Sequence, residues 1–277
     1  MSPSHRRPEK VMALIPAYNE EKSIAAVIEG IRVILPQADV VVIDDSSTDR
    51  TARAAAAAGA FVVRLPCNLG IGGAVQTGLK FARIYRYDLV VRLDGDGQHD
   101  PKSIPALYTA VATGRTDVAI GSRFIDGDHG MEIPLSRRLG IKTYATLVSL
   151  ITRQRATDTT SGFMCLNRKA IRILAEYLPQ DYPEVEGRVI LHKAGLTTLE
   201  LPAKMQERVA GLSSINSWRS IYYAVKVSIA VLICAMKDVP LIEKEPDYGS
   251  DTNDSTHRRY RHQPYALVGD SPTDPEA

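Results

Sequence analysis

Short apolar runs alternate with amphipathic stretches through the first half of the chain. Residues 11–15 are uniformly apolar and predict a strand that stops at Pro16. Ile24, Val27, Ile28, Ile31, Ile34 and Leu35 then recur at helical spacing until Pro36. Residues 40–43 and 61–65 repeat the strand pattern on either side of an alanine-rich helix, which Thr48 or Asp49 caps and Gly59 closes. A helix over 73–85 and strands over 89–93 and 117–120 follow. Strands alternating with helices predict an α/β fold with a mostly parallel sheet, covered by helices on both faces. Ligands of such sheets bind beyond the carboxyl ends of the strands.

The second half is less regular. Residues 126–134 predict a loop, and 138–152 have helical spacing. Asp158 to Phe163 form a polar turn ahead of a short apolar segment. Asn167 predicts the cap of a helix over 168–177, Pro183 opens another helix, and 197–201 read as a late strand. Residues 220–236 are densely apolar, interrupted by Lys226. The unbroken part, 227–236, falls well short of the roughly 20 residues needed to cross a bilayer. It predicts either a buried or oligomer-forming terminal helix, or an amphipathic helix at a membrane interface with Tyr222, Tyr223, Lys226 and Lys237 near the head groups. From Glu243 onward Pro, Asp, Glu, Ser and Thr dominate, which predicts disorder. The expected organisation is a flexible N-terminus (1–10), one α/β domain (11–215), an amphipathic helical segment (216–240) and a disordered tail (241–277).

Composition narrows the function classes. With 277 residues and 44% hydrophobic content, one large domain with appendages is expected. A net charge of +2 implies no strong polyanion-binding field, which argues against a nucleic-acid partner. Cys67, Cys165 and Cys234 are far apart and form no CxxC, so neither a disulfide framework nor a zinc site is expected. No signal-peptide pattern follows the basic N-terminus, and the expected compartment is the cytoplasm.

The candidate chemistry sits where the strands end. The first strand runs into Pro16-Ala17-Tyr18-Asn19-Glu20, the second into Asp44-Asp45-Ser46-Ser47, the third towards Asn68-Leu69-Gly70-Ile71-Gly72-Gly73, and the fourth into Asp94-Gly95-Asp96-Gly97-Gln98. Any one of these is an ordinary polar loop taken alone; four on one edge of one sheet imply a shared site. Asp94 and Asp96 suit a hard divalent cation, Mg²⁺ or Mn²⁺, that keeps positions for substrate phosphates. The alternative is a turn with solvated carboxylates. Asp45 suits the N–H edge of uracil or guanine, and Glu20 the base or ribose. Asp44 and Asp45 also suit helix capping, and one of them could do only that. Gly70-Ile71-Gly72-Gly73-Ala74 would let backbone N–H groups approach a phosphate, although it is neither a complete GxGxxG nor a P-loop. Arg123, directly after a strand, suits a phosphate, or an ion pair with Asp126. Arg208 is a second phosphate candidate. The histidines form no metal or triad pattern, and no G-x-S-x-G is present.

As a set, Ile15-Pro16-Ala17-Tyr18-Asn19-Glu20-Glu21, Val42 to Asp49, Asn68-Leu69-Gly70, Asp94-Gly95-Asp96-Gly97-Gln98 and Gly121-Ser122-Arg123-Phe124 resemble the family 2 glycosyltransferases of GT-A fold. Asp158 to Phe163, Arg208 and Ser213-Ser214-Ile215 are similar, more loosely, to the polyprenyl-phosphate sugar transferase branch, akin to dolichyl-phosphate mannose synthase. The resemblance implies a Rossmann-like GT-A sheet and a single displacement that inverts the anomeric carbon. It implies that Pro16, Ala17, Tyr18, Glu20, Asp45, Asn68 and Gly73 hold the nucleotide sugar. Asp94 would contact ribose and metal, and Asp96 and Gln98 the metal. Arg123, one of Arg137 or Arg138, and Arg208 would hold phosphate. Asp96, Arg123 and Asp158 are the candidate catalytic residues. Met164 stands where the branch commonly has arginine. The implied reaction moves a hexose from a UDP- or GDP-linked donor to a polyprenyl phosphate or other lipid-linked acceptor. The enzyme would lie peripherally on the inner face of the cell membrane, and its terminal helix could form a homo-oligomer. A sugar-hydroxyl acceptor would instead need a base, for which Asp158, Glu184 and Glu186 are candidates. Two other readings are a nucleotidyltransferase releasing pyrophosphate, disfavoured because no basic triphosphate loop follows the first strand, and a nucleotide-sugar-binding scaffold without catalysis.

Overall fold

The computed structural model describes residues 9–125, 135–205 and 217–242, with side chains over 9–125, 143–205 and 226–242. The first half alternates as expected: β1 (Val11–Ala17), α1 (Ile24–Ile34), β2 (Asp39–Asp44), α2 (Thr51–Ala57), β3 (Phe61–Arg64), α3 (Gly70–Ile84) and β4 (Leu89–Arg92). Then come α4 (Ile104–Ala112), β5 (Val118–Ser122), α5 (Leu135–Thr152), β6 (Met164–Asn167), α6 (Arg168–Tyr177), α7 (Pro183–Lys193), β7 (Thr198–Pro202) and α8 (Ser217–Met236). The expectations for 126–134 and for the tail from 243 lie outside the described residues.

The strands form one sheet of seven in the order β3-β2-β1-β4-β6-β5-β7. Every neighbouring pair is parallel except those made by β6, which runs antiparallel to both β4 and β5. The mostly parallel α/β sheet is therefore present. β1 is apolar without alternation because both its faces are covered. Met12 and Leu14 enter a core with Leu79 of α3, Leu174 of α6 and Val189 of α7. Ala13, Ile15 and Ala17 enter the opposite core with Ile28 of α1, Ala55 of α2 and Leu107 of α4.

Capping follows side-chain chemistry. Asn167 accepts the Ala170 N–H at 3.0 Å and starts α6. Asp49 accepts the Thr51 N–H at 2.9 Å where α2 begins. Helix α3 starts at Gly70, ahead of the expected Gly73, because Asp45 accepts the Leu69 N–H at 2.7 Å and Asn68 accepts the Gly70 N–H at 3.1 Å. The glycine cluster is thus the first turn of a helix. A Cβ on Gly72 would come within 2.3 Å of the Gln180 carbonyl oxygen, so α3 is packed directly against backbone there.

Two elements were not expected from the pattern. In α4, Pro105 falls in the first turn, where a missing N–H costs nothing. Pro101 and Pro105 together interrupt the periodicity that would have revealed the helix. Strand β6 is only four residues long, and its pairing, such as Arg92 opposite Met164, is remote in sequence. Helix α8 packs on α5 and α7 through Val227, Val231 and Cys234, which are fully buried. Among the described residues no helix is long and apolar enough to cross a membrane.

Candidate functional site

A cleft of about 530 Å³ opens at the carboxyl edge of the sheet, within the size range of small-molecule sites. Pro16, Ala17, Tyr18 and Glu20 line it from the end of β1, and Asp45 from the end of β2. Asn68, Gly70, Ile71 and Ala74 come from the start of α3, and Asp94, Gly95 and Asp96 from the end of β4. The parallel register explains the convergence: Ala17 lies opposite Asp44, and Leu14 opposite Arg92, so the three strands finish near one level.

The loops are held by one another. Asn19 adopts a left-handed φ of 57°. Its N–H donates to the Ser47 hydroxyl at 3.0 Å, while its side-chain carbonyl accepts the Thr48 N–H at 2.9 Å. The Glu20 N–H donates to the Thr51 hydroxyl at 2.8 Å. The Ser23 hydroxyl donates to the Gly95 carbonyl at 2.7 Å, tying the start of α1 to the loop after β4. Gly97, with φ of 77°, takes the left-handed turn after Asp96.

The paired aspartates after β2 divide their work. Asp44 is fully buried, accepts the Ser47 N–H at 3.3 Å and lies 3.4 Å from the Arg64 guanidinium. Asp45 lines the cleft and anchors the start of α3 through Leu69. Gly73 does not line the cleft; it is buried, and a Cβ there would stand 2.5 Å from that of Leu69. Gly70, Ile71 and Ala74 are the α3 residues that reach the cleft.

After β4, Asp96 is buried and accepts the Gln98 N–H at 3.0 Å. Asp94 is one-third exposed; one oxygen lies 3.1 Å from Nε2 of His99, the other 3.4 Å from Nη2 of Arg92. Burial alone would raise the Asp94 carboxyl, but the His99 hydrogen bond and the Arg92 charge hold it well below the usual range. Hard oxygen donors on one cleft wall suit Mg²⁺ or Mn²⁺. Among the described residues no group of three or more His, Cys, Asp or Glu side chains could hold a metal by itself. A cation here would need oxygen ligands from a substrate, such as a diphosphate, which fits the paired carboxylates.

A second network lies beside β5. Arg123 makes a two-point pair with the buried Asp158, Nε to Oδ2 at 2.6 Å and Nη2 to Oδ1 at 2.7 Å, and also donates to the Thr160 hydroxyl. The alternative partner Asp126 lies outside the described residues. Arg188 donates to the Asp158 backbone carbonyl and pairs with Glu200 at 2.7 Å. Glu200 accepts the Thr157 and Asp158 N–H groups. Arg208 lies outside the described residues, and Arg137 and Arg138 lie in the part of α5 where only the backbone is described. Burial by itself would raise the Asp158 carboxyl, but Arg123 outweighs it and holds the group below its ordinary 3.8. Its stabilising contribution is therefore full above that value and is lost as pH falls below it. Urea unfolding from about pH 5 to about pH 3 is expected to show a steeper stability loss for the native chain than for Asp158→Asn. Parallel curves would count against the assignment.

Arg92, His99, Arg188 and Glu200 belong to these networks but were not singled out from sequence. Only an arginine closing an otherwise apolar strand was there as a signal for the first. Of the other two base candidates, Glu184 is 2.6 Å from Arg92. Glu186 has Lys237 and Asp181 as charged neighbours and does not line the cleft.

The profile of glycosyl transferase family 2 matches residues 12–174. An undecaprenyl-phosphate mannosyltransferase of Micrococcus luteus is 31% identical over 215 residues, covering 75% of this chain and 88% of the relative. A dolichol-phosphate mannosyltransferase of Pyrococcus furiosus is 33% identical over 236 residues, covering 78% of this chain and 64% of that one. The crystal structure of glucosyl-3-phosphoglycerate synthase from Mycobacterium tuberculosis, in complex with Mn²⁺, uridine-diphosphate-glucose and phosphoglyceric acid, superposes with a TM-score of 0.60. It is 22% identical, with 83% of this chain and 81% of that one covered, and shares the GT-A fold. The matched residues run from β1 into α6 and so span the whole cleft wall: this chain is a glycosyltransferase and belongs to glycosyl transferase family 2.

Proposed function

We propose that the enzyme uses a divalent cation to move a hexose, with inversion, from a UDP- or GDP-linked donor to a polyprenyl phosphate or other lipid-linked acceptor. The observation that carries this reading is the Asp94/Asp96 pair on the same cleft as Asp45 and Glu20. Pro16, Ala17, Tyr18, Glu20, Asp45 and Asn68 would hold the nucleoside. Asp94, Asp96 and Gln98 would hold the cation, with Asp94 also facing the ribose. When bound, the cation would offset charge on the departing diphosphate. Arg123, Arg138 and Arg208 would contact phosphate, with Asp158 fixing the orientation of Arg123.

The state of the candidate bases favours a phosphate acceptor. Both oxygens of Asp158 are engaged by Arg123, and Glu184 is engaged by Arg92. A phosphate is already an anion and needs positioning more than deprotonation, whereas a sugar hydroxyl needs a base. The names of the Micrococcus and Pyrococcus relatives agree with that choice. The test is incubation with UDP- and GDP-sugars, Mn²⁺ or Mg²⁺, and either a polyprenyl phosphate or a sugar acceptor. Metal-dependent release of UDP or GDP with a new lipid-phosphate sugar is the expected result. Pyrophosphate release, or transfer to the hydroxyl acceptor alone, would overturn it.

Helix α8 supports a place on the membrane surface, which we assign to the inner face of the cell membrane. Ile229, Leu232, Ile233 and Met236 are all at least half exposed and follow helical spacing, opposite the buried Val227, Val231 and Cys234. Exposed Lys226 and Lys237 flank this stripe, and exposed Arg153 and Arg155 follow α5, on which α8 packs. The doubly substituted Leu232→Glu, Ile233→Glu chain is expected to lose at least about tenfold in affinity for vesicles containing anionic lipid. Unchanged co-sedimentation would argue for an oligomer contact instead, which the same samples report by sedimentation.

A further inference from the structure

Arg92 closes β4 in an unusual position for a guanidinium: its side chain is 2% exposed, inside the protein core. Residues two apart in an extended segment share a face, so Arg92 and Asp94 point the same way. The geometry ranks its partners. Nη2 is 2.6 Å from Glu184 and 3.4 Å from Asp94. Glu184 stands in the first turn of α7, where a negative charge is favoured by the helix N-terminus. Gly162 lets the 158–163 loop lie over the pair, since a Cβ there would be 2.8 Å from Arg92 Nη2 and 3.1 Å from Asp94 Oδ1. Nε of Arg92 is buried without a hydrogen-bond partner among the described residues. The guanidinium is therefore not saturated and is held largely by Glu184.

A buried cation beside a carboxylate opposes binding of a second cation to that carboxylate. We propose that Glu184 is the counter-charge that occupies Arg92, leaving Asp94 and Asp96 with the negative charge a divalent cation requires. Arg92 and Glu184 are thus a charge-balanced pair: Glu184 keeps the long Arg92–Asp94 contact from becoming a closed ion pair. Removing the Glu184 charge lets Arg92 close on Asp94. Removing both members together releases Asp94 from competition. This rests on the cation reading above.

The test is calorimetric Mn²⁺ binding in the presence of UDP and, separately, of GDP. Four full-length chains are compared: native, Glu184→Gln, the double Arg92→Met, Glu184→Met, and Glu29→Gln as an exposed control. Glu184→Gln is expected to weaken Mn²⁺ binding about tenfold or more, and the double substitution to restore it to within about threefold of native. Glu29→Gln is expected to match the native chain. Melting curves without metal report folding. Should Glu184→Gln not fold, the double variant decides, because its binding must still be near native. Equal affinity in Glu184→Gln, an equally large loss in Glu29→Gln, or weak binding by the folded double variant overturns the proposal while leaving the cation reading intact. Absence of Mn²⁺ binding by the native chain with either nucleotide overturns both.

Discussion

Asp96→Asn is expected to lower metal-dependent turnover by about a thousandfold while leaving the thermal stability of the chain close to native. The substitution is chosen for its shape. Asp96 accepts the Gln98 N–H at 3.0 Å, and an asparagine carbonyl keeps that acceptor and so keeps the turn. What is lost is the charge, in a buried group on the wall of the cleft. Asparagine leaves Asp94 as the remaining carboxylate of the pair, and Asp94 already shares its oxygens with His99 and Arg92. Turnover should not be rescued by raising Mn²⁺ to levels that saturate the native enzyme. Steady-state rates across a Mn²⁺ titration check this, alongside melting curves. Activity within about tenfold of native would mean that Asp96 is a turn residue only.

Asp158→Ala is expected to cost about 3 kcal/mol of stability, measured by urea unfolding near neutral pH. Asp158 is fully buried and Arg123 nearly so, and their two-point pair ties the residue after β5 to the 157–161 loop, beside a 2.7 Å contact between the Ser122 and Thr157 hydroxyls. Truncation removes both carboxylate contacts of the guanidinium, while its donation to the Thr160 hydroxyl persists. Loss of the counter-charge beside a largely buried guanidinium accounts for most of the cost. Asp158→Asn should fall between the two, since an amide oxygen can still accept from Arg123. A loss under about 1 kcal/mol for the alanine variant would show that Arg123 finds water or another acceptor without penalty. Because Arg123 is proposed to hold phosphate, the asparagine variant should also raise KM for the acceptor more than it lowers kcat.

The outline of the cleft was legible in the chain because of a simple rule. A strand buried on both faces is an unbroken apolar run, so the first polar residues after it mark its carboxyl end. Tyr18, Asp45, Asn68 and Asp94 were found that way, and all of them line the cleft. The rule fails where an element is short or broken by proline. Strand β6, with four residues, and α4, with Pro105 in its first turn, lack the periodicity that local reading depends on. It does not reach Gly73, which packs against Leu69 and does not line the cleft.

The sequence by itself determined the α/β alternation, the polar edge and the carboxylate pair Asp94/Asp96, because these depend on local period and on residue type. Which carboxylate does what was decided only by the tertiary structure. Insertion of antiparallel β6 between β4 and β5 brings the 158–163 loop over Arg92 and beside Arg123. That placement commits Asp158 to Arg123, while α7 commits Glu184 to Arg92. Such pairs join residues far apart in the chain, and their energy depends on burial and on distances of a few ångströms, which no local pattern carries.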